Sequence, residues 1–197
     1  MALPRWYLFS WAVLAALLLA GCGGIRFSQT APEAKDFHPQ TVALLALETS
    51  GREEAREVLD RTITDELTDK QWFTKVISFQ AFQGLLKEND SLREATFAYL
   101  AKLKAVNYSD PELSKKIAGL ARVDAFLLVN IDYWYYTKEA DKDLAKVGLG
   151  MRMIDGATGT MIWKAGHHLA EDYMFLKPEL SRVAADVVKQ MVRAMPH

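Results

Sequence analysis

The stretch AFLLVNIDYWYYT, residues 125–137, marks the point at which the sequence changes from helical to strand-like periodicity. Aliphatic side chains are followed by aromatic ones, a composition that favours a long strand. Residues 147–155 and 160–172 are further strand-like runs, separated by the four-residue stretch Gly-Ala-Thr-Gly at 156–159. Two such runs around a short glycine-containing loop predict a β-hairpin. We therefore expect a meander of three strands in the second half of the chain.

The residues before this meander predict an α/β unit. Residues 42–47 are a continuous aliphatic run, which is long enough for a buried strand and too short for a helix. Residues 52–70 follow with apolar side chains at the spacing of one helical face. Residues 73–79 alternate weakly and fit a second strand.

Three more helices complete the expected order of elements. Two lie before the meander, one starting at the capping residues 89–91 and one with Pro111 in its first turn. The last helix begins at Pro178 and has a nearly unbroken apolar stripe. The predicted order is β-α-β-α-α-β-β-β-α, and the predicted fold is α/β, with a mixed sheet of about five strands flanked by helices.

Composition limits the classes of function. The 197 residues are half apolar and one quarter charged, as in a folded globular protein. With 24 basic and 25 acidic side chains, the chain lacks the basic field of a nucleic-acid-binding protein. The single cysteine excludes an internal disulfide and a cysteine-based zinc cluster.

The amino terminus has the pattern of a targeting segment. Arg5 is followed by fifteen residues, 6–20, that are apolar except for Ser10. As a helix this segment would rise only about 22 Å, less than the roughly 30 Å core of a bilayer. It ends in LAGC, residues 19–22, which resembles the bacterial lipoprotein signal. The resemblance implies cleavage before Cys22 and lipid on its sulfur and new amino group; the alternative is an ordinary secretory peptide.

Three regions follow from this pattern. Residues 1–21 are predicted to be a lipoprotein signal peptide, residues 22–40 a lipidated tether, and residues 41–197 a periplasmic domain. The tether contains glycine, proline and polar residues without a sustained period, and its eighteen residues after Cys22 would reach at most about 60 Å. The residue after Cys22 is Gly23 and not the aspartate of many inner-membrane lipoproteins, which implies the outer membrane, on its periplasmic face.

The chain also resembles a superfamily of envelope lipoproteins, those of the curli-secretion (CsgG) and peptidoglycan-synthase-activator (LpoB) type. The matching features are the strand at 42–47 before a helix, the helix-to-strand passage at 117–128, and the turn DGATGTMIW at 155–163. The resemblance covers roughly residues 40–195 and implies a domain that binds or assembles proteins. The charged segments at 87–104 and 137–146 do not have the alternation of strands that line a membrane barrel.

The aromatic cluster Tyr133, Trp134, Tyr135 and Tyr136 is the candidate surface for binding a partner protein. Tyrosine and tryptophan are enriched in the centres of interfaces, although they also suit the buried face of a strand. A second candidate consists of the side chains Phe79, Phe82, Leu85 and Leu86. For both clusters a place in the core is the more frequent alternative to an interface.

The sequence contains no complete catalytic or metal-binding motif. His167 and His168 are adjacent in a predicted strand and would point to opposite faces, so they cannot chelate one metal together. Strict alternation places Asn130 and Asp132 on one strand face with Trp134 and Tyr136. Gly148 and Gly150 lie inside a strand pattern and indicate a bulge or close packing, not a phosphate loop. We predict no cofactor and no metal.

These observations predict a non-enzymatic, lipid-anchored protein of the cell envelope. It would be held in the membrane through Cys22 and would bind another envelope protein or further copies of itself. Two alternatives remain open. One is an envelope hydrolase that uses Asp132 with His167 or His168, and the other is an accessory lipoprotein of a transporter.

Overall fold

A computed structural model describes residues 25–197 of the chain, in which a six-stranded mixed sheet lies between two layers of helices. The strands are β1 (Phe27–Thr30), β2 (Thr41–Glu48), β3 (Lys75–Ile77), β4 (Ala125–Glu139), β5 (Lys142–Asp155) and β6 (Met161–Tyr173). The helices are α1 (Glu53–Lys70), α2 (Phe79–Glu88), α3 (Asp90–Val106), α4 (Pro111–Ala121) and α5 (Leu180–Arg193). A short 3-10 helix, Pro32–Asp36, follows β1. Within the described residues, none of the helices is both long and apolar enough to span a bilayer.

The sheet combines a parallel half with an antiparallel half. Its strand order is β1-β6-β5-β4-β2-β3. β2 pairs in parallel with β3 and β4, whereas β4, β5, β6 and β1 form antiparallel pairs. The predicted α/β class, the mixed sheet and the three-strand meander are confirmed.

The strand count differs from the prediction because β1 comes from the segment that was expected to be a linker. Its backbone pairs with β6, and the amide of Ala31 donates to the carbonyl of Ile162 at 2.8 Å. The indole of the buried Trp163 also donates to the Ser28 hydroxyl at 3.0 Å. The alternation of Phe27, Ser28, Gln29 and Thr30 is too short a signal to predict an edge strand from sequence. The prediction of a linker now applies only to the residues that precede β1.

The helix count also differs, because α2 lies where no helix was expected. The predicted strand at 73–79 is reduced to Lys75–Ile77, and Ser78 caps the new helix by accepting a hydrogen bond from the Ala81 amide at 3.1 Å. Asp60 of α1 accepts from the Phe79 amide at 2.6 Å and the Gln80 amide at 2.9 Å, which satisfies two more donors of the first turn. Phe79, Phe82 and Leu86 have helical spacing, which was the available signal.

Each face of the sheet has its own apolar core. Helices α1 and α5 cover one face, with residues from all of the long strands beneath them. Helices α2, α3 and α4 cover the other face, but only over β2, β3 and the adjoining ends of β4 and β5. The chain therefore forms three layers over the parallel half of the sheet and two over the antiparallel half.

The β4–β5 connection is tighter than expected. The predicted strands end at residue 137 and begin again at residue 147, with the charged segment between them, but the strands continue to Glu139 and from Lys142, which leaves a two-residue turn. Ala140 and Asp141 both have positive φ angles, 49° and 63°, as a type I′ hairpin requires. Because alanine rarely adopts this conformation, the sequence lacks the usual hairpin signal.

The turn between β5 and β6 is packed against α4. A Cβ atom at Gly156 would lie 2.8 Å from the Cβ atom of Ala118 and 2.9 Å from the carbonyl oxygen of Asp124. The buried Ser114 hydroxyl donates to the Gly156 carbonyl at 3.0 Å. The quoted motif at 155–163 thus has a structural role in joining the sheet to the α4 layer.

We expect alanine to have opposite effects at two glycines. Gly156→Ala should lower the free energy of unfolding by about 1–3 kcal/mol, because the added methyl has no room. Gly84→Ala should raise it by up to about 1 kcal/mol, because Gly84 lies inside α2 with nothing within 4 Å of a Cβ atom. Urea denaturation of the two variants measures both effects. Equal effects would show that the β5–β6 turn does not pack on α4 in this way.

Candidate interaction surface

One face of the antiparallel half of the sheet carries no helix. On this side the apolar cluster beneath α2, α3 and α4 ends at Leu128 of β4 and Ile154 of β5. Further along these strands and across β6 to β1, the side chains are partly exposed. We call this surface the open face. Its members are Phe27, Asn130, Tyr133, Tyr135, Lys146, Lys164 and His168.

A β-bulge at Asp132 determines which aromatic side chains reach the open face. Ile131 pairs with Leu149 and Tyr133 pairs with Gly148, so Asp132 is the extra residue. Beyond the bulge the alternation is shifted by one residue. The prediction that Asn130 and Asp132 share a face with Trp134 and Tyr136 is therefore wrong.

The bulge divides the predicted aromatic cluster between the two sides of the sheet. Trp134 is only 7% exposed and packs in the core beneath α5, and Tyr136 is partly buried on the same side. Tyr133 and Tyr135 lie on the open face, where Tyr135 is 36% exposed. The four residues do not form one surface, and only two of them are available to a partner there.

Tyr133 is the centre of a contact network on the open face. Its ring meets those of Tyr135 and His168 edge to face, with centroid distances of 6.0 and 5.4 Å. The Lys146 ammonium lies 4.9 Å from the Tyr133 ring centroid, within the range of a cation–π interaction. The Tyr133 ring also occupies the space where a side chain at Gly148 would be. This confirms that Gly148 allows close packing.

Two further glycines form a shallow recess beside this network. Asn130, Gly150, Gly166 and Phe27 are neighbours across the four strands β4, β5, β6 and β1. The Asn130 side chain covers Gly150, whereas no atom lies within 4 Å of a Cβ position at Gly166. The Lys164 ammonium lies 5.6 Å from the ring centroid of Phe27 at the rim of the recess. The uncovered backbone at Gly166, with an aromatic and a basic side chain beside it, can accept a protruding side chain of another protein.

The two histidines lie on opposite faces of β6, as predicted. His167 is buried beneath α5, where its Nε2 atom bonds the Gln190 side-chain oxygen at 3.0 Å and its Nδ1 atom has no partner. Burial lowers the pKa of His167, and the Arg26 guanidinium lowers it further. Burial, followed by Arg26 and Lys146, also lowers the pKa of His168 on the open face, and the Asp132 carboxylate partly opposes this effect.

No hydrogen bond joins Asp132 to either histidine named for a hydrolase. Asp132 accepts its hydrogen bond from Asn130 at 2.7 Å, whereas His167 points to the α5 side of the sheet and His168 packs against Tyr133. Across residues 25–197 there is no group of three or more His, Cys, Asp or Glu side chains arranged to hold a metal ion. The geometry gives no support to the hydrolase alternative.

The second candidate cluster is part of the core. Phe82 and Leu86 are buried against the sheet, and Phe79 and Leu85 are partly buried at its margins. They occupy consecutive turns of α2, so their function is to hold this helix in place. Of the two alternatives for this cluster, the structure supports the core and not a binding surface.

An exposed apolar segment was missed by the sequence analysis. Met174, Phe175 and Leu176 follow β6 and are 83%, 92% and 89% exposed. The signal was three consecutive apolar residues between the end of a strand and Pro178.

Comparison with known proteins identifies the fold but not a family. No protein-family model and no curated protein sequence matches the chain. Among solved structures, a PelC dodecamer from Paraburkholderia phytofirmans aligns with a TM-score of 0.55 and 15% identity, over 89% of this chain and 99% of that one. Lipoprotein GNA1162 from Neisseria meningitidis aligns with a TM-score of 0.50 and 15% identity, over 78% and 98%. The hypothetical protein CT253 from Chlamydia trachomatis aligns with a TM-score of 0.53 and 10% identity, over 78% and 93%.

These similarities support part of the expected resemblance. The chain has a fold that is also found in a bacterial lipoprotein, GNA1162. The LpoB C-terminal domain from Salmonella enterica aligns less closely, with a TM-score of 0.35 and 14% identity. Membership of the curli-secretion and synthase-activator superfamily stays a prediction.

The buried His167 should make stability depend on pH. Its pKa is lower in the folded than in the unfolded chain, so the unfolded chain binds the proton first as the pH falls below about 6.5. The free energy of unfolding should therefore decrease as the pH falls from 7 to 5. In the His167→Gln variant this free energy should decrease less over the same range. Chemical denaturation at several pH values gives the two slopes. Parallel slopes would show that His167 takes up its proton equally well in the folded state.

Proposed function

We propose that this protein is a non-enzymatic, lipid-anchored assembly module of the cell envelope that associates with further copies of itself through the open face. The proposal rests on one observation: among the described residues, no helix covers the open face. Helices cover both faces of the parallel half of the sheet and one face of the antiparallel half. The remaining face has aromatic rings and glycine backbone in contact with water.

The chemistry of the open face suits a protein partner better than a small substrate. It is broad and shallow, and it combines tyrosine rings with lysine side chains. Tyrosines of this kind contribute much of the binding energy in protein interfaces, whereas small-molecule sites are concave and enclose their ligand. Among the described residues, Asp132 shares no hydrogen bond with His167 or His168, which supports a role without chemistry.

A second copy of the chain is the partner that we propose. The similar PelC structure is a dodecamer, so at least one protein with this fold assembles with itself. The open face ends at β1, a four-residue edge strand that is exposed throughout, and this places the recess at Gly166 next to an accessible edge of the sheet. The alternative partner is a different envelope protein.

The proposed membrane anchor is lipid on Cys22, at the periplasmic face of the outer membrane. Its support is the sequence LAGC at residues 19–22 after an apolar run, together with the occurrence of this fold in a lipoprotein. Cys22 lies outside the residues that the structure describes. Several acyl chains at one cysteine make membrane attachment effectively permanent.

Mass spectrometry of the mature amino terminus tests the anchor. We expect a chain that begins at Cys22 and carries acyl groups, and we expect Cys22→Ala to release the protein from the membrane fraction. An unmodified Cys22, or a chain that begins elsewhere, would contradict the proposal.

Two arginine substitutions test self-association through the open face. Gly166→Arg fills the recess, and because no atom lies within 4 Å of the Cβ position the single chain should tolerate it. Gly119→Arg is the matched control, since Gly119 is exposed on α4 with equally free space. We expect the wild type and Gly119→Arg to form the same oligomer, and Gly166→Arg to dissociate at least about tenfold more readily.

Light scattering after size-exclusion chromatography gives the oligomeric state of all three proteins, and circular dichroism confirms that each is folded. A wild type that stays monomeric at high concentration would contradict self-association. An oligomer that is equally stable in Gly166→Arg would show that copies associate through another surface.

A further inference from the structure

The apolar segment after β6 is the most exposed hydrophobic feature among the described residues. Met174, Phe175 and Leu176 are consecutive, and each has more than four fifths of its surface in water. Other exposed apolar side chains of the described region, such as Phe97 and Val106, are only 60% and 66% exposed. Three such neighbours at one point of the surface mark a place of contact with an apolar medium or partner. We call residues 174–176 the apolar tip.

The residues on both sides of the apolar tip are held in place by contacts with Tyr136. The Tyr136 hydroxyl donates to the Pro178 carbonyl at 2.9 Å, and its ring meets that of Tyr173 edge to face at 6.1 Å. The Lys177 ammonium lies 3.5 Å from the centroid of the same Tyr136 ring. These contacts hold the residues on both sides of the tip, so its exposure comes from the fold and not from a frayed chain end.

The amino-terminal segment leads towards the same end of the molecule. β1 is antiparallel to β6, with Phe27 beside Gly166 and Thr30 beside Trp163. The residues before Phe27 therefore leave in the direction in which β6 runs, towards Tyr173 and the apolar tip. In agreement with this direction, Arg26 is close enough to His167 and His168 to add to the effect of burial on their pKa values.

The length of the chain confines Cys22 to this end. Five peptide units separate Cys22 from Phe27, which span at most about 18 Å. The distance along β6 from Gly166 to Tyr173 is about 23 Å. Cys22 can therefore come nearly level with the end of β6. Cys22 cannot reach the β5–β6 turn at the opposite end. Ile25 and Arg26 lead away from that turn, and the three peptide units between Cys22 and Ile25 span only about 11 Å.

From these positions we propose that the apolar tip inserts into the surface of the membrane that holds Cys22, so that the domain stands on the bilayer with β6 pointing towards it. The proposal rests on the lipid anchor at Cys22 that is argued above. Once the anchor holds the domain within about 18 Å of the lipid surface, the tip meets the bilayer without a separate binding event. Methionine, phenylalanine and leucine are side chains that partition into the boundary between headgroups and acyl chains.

A fluorescent label at the tip tests this contact in the lipidated protein. Cys22 is the only cysteine of the chain, and its acylated sulfur does not react with thiol reagents. Phe175→Cys thus adds one reactive thiol, which is labelled with the environment-sensitive fluorophore NBD. Ala157→Cys, at an exposed position in the β5–β6 turn, is the matched control at the far end of the sheet.

Both labelled proteins are reconstituted in vesicles of phosphatidylethanolamine and phosphatidylglycerol, with and without nitroxide-labelled lipid. We expect a blue-shifted emission at position 175 and a quenching by the nitroxide lipid that is several-fold stronger than at position 157. Equal, weak quenching at both positions would overturn the proposal. A blue shift at position 175 that depends on protein density but not on the nitroxide lipid would also overturn it, because a second copy would then cover the tip.

The same samples separate the failure of this contact from the failure of the anchor. Acylated Cys22 with an unquenched label at position 175 would overturn the membrane contact of the tip and leave the anchor standing. Unmodified Cys22, found by mass spectrometry, would overturn the anchor and with it the proposed orientation.

Discussion

The packing of α5 against the long strands is the interaction on which the rest of the structure depends. β4, β5 and β6 have 15, 14 and 13 residues, and a sheet of this length must bury at least one face to be stable in water. Six side chains of α5 are buried against it, namely Val183, Ala184, Val187, Val188, Met191 and Val192. This one helix covers the antiparallel half of the sheet, and it leaves the opposite face of that half free. The open face exists because the helices α2, α3 and α4 are attached to the parallel half.

The bulge at Asp132 then decides what the open face presents. With strict alternation, Trp134 and Tyr136 would lie on the open face and Tyr133 would point into the core. The extra residue reverses this arrangement, so the tryptophan is buried and two tyrosines lie on the open face. Gly148 complements the bulge, because a larger residue would collide with the Tyr133 ring. Because of the bulge, Tyr136 lies on the α5 side of the sheet, where its hydrogen bond to Pro178 supports the apolar tip.

The features that were predictable from sequence are those with a sustained period. The apolar stripe of α5 and the aliphatic run of β2 each repeat often enough to identify an element and its buried side. Three other features were not predictable, because each depends on contacts between distant residues. β1 is only four residues long and is held by Trp163, the β4–β5 turn uses an alanine with positive φ, and the bulge leaves no trace in composition. The candidate site was predicted in part, since Tyr133 and Tyr135 lie on the open face but Trp134 lies in the core.

The incorporation of β1 into the sheet changes how far the proposed anchor allows the domain to reach. An eighteen-residue tether would have let the domain move up to about 60 Å from its membrane and meet partners well inside the periplasm. With Phe27 already in the sheet, the distance from Cys22 is at most about 18 Å, less than the length of β6. A domain held so closely stays at the membrane surface, and other copies with the same anchor are concentrated there. The short anchor therefore favours lateral association through a side face of the sheet, and the open face is such a face because β6 points towards the bilayer in the proposed orientation.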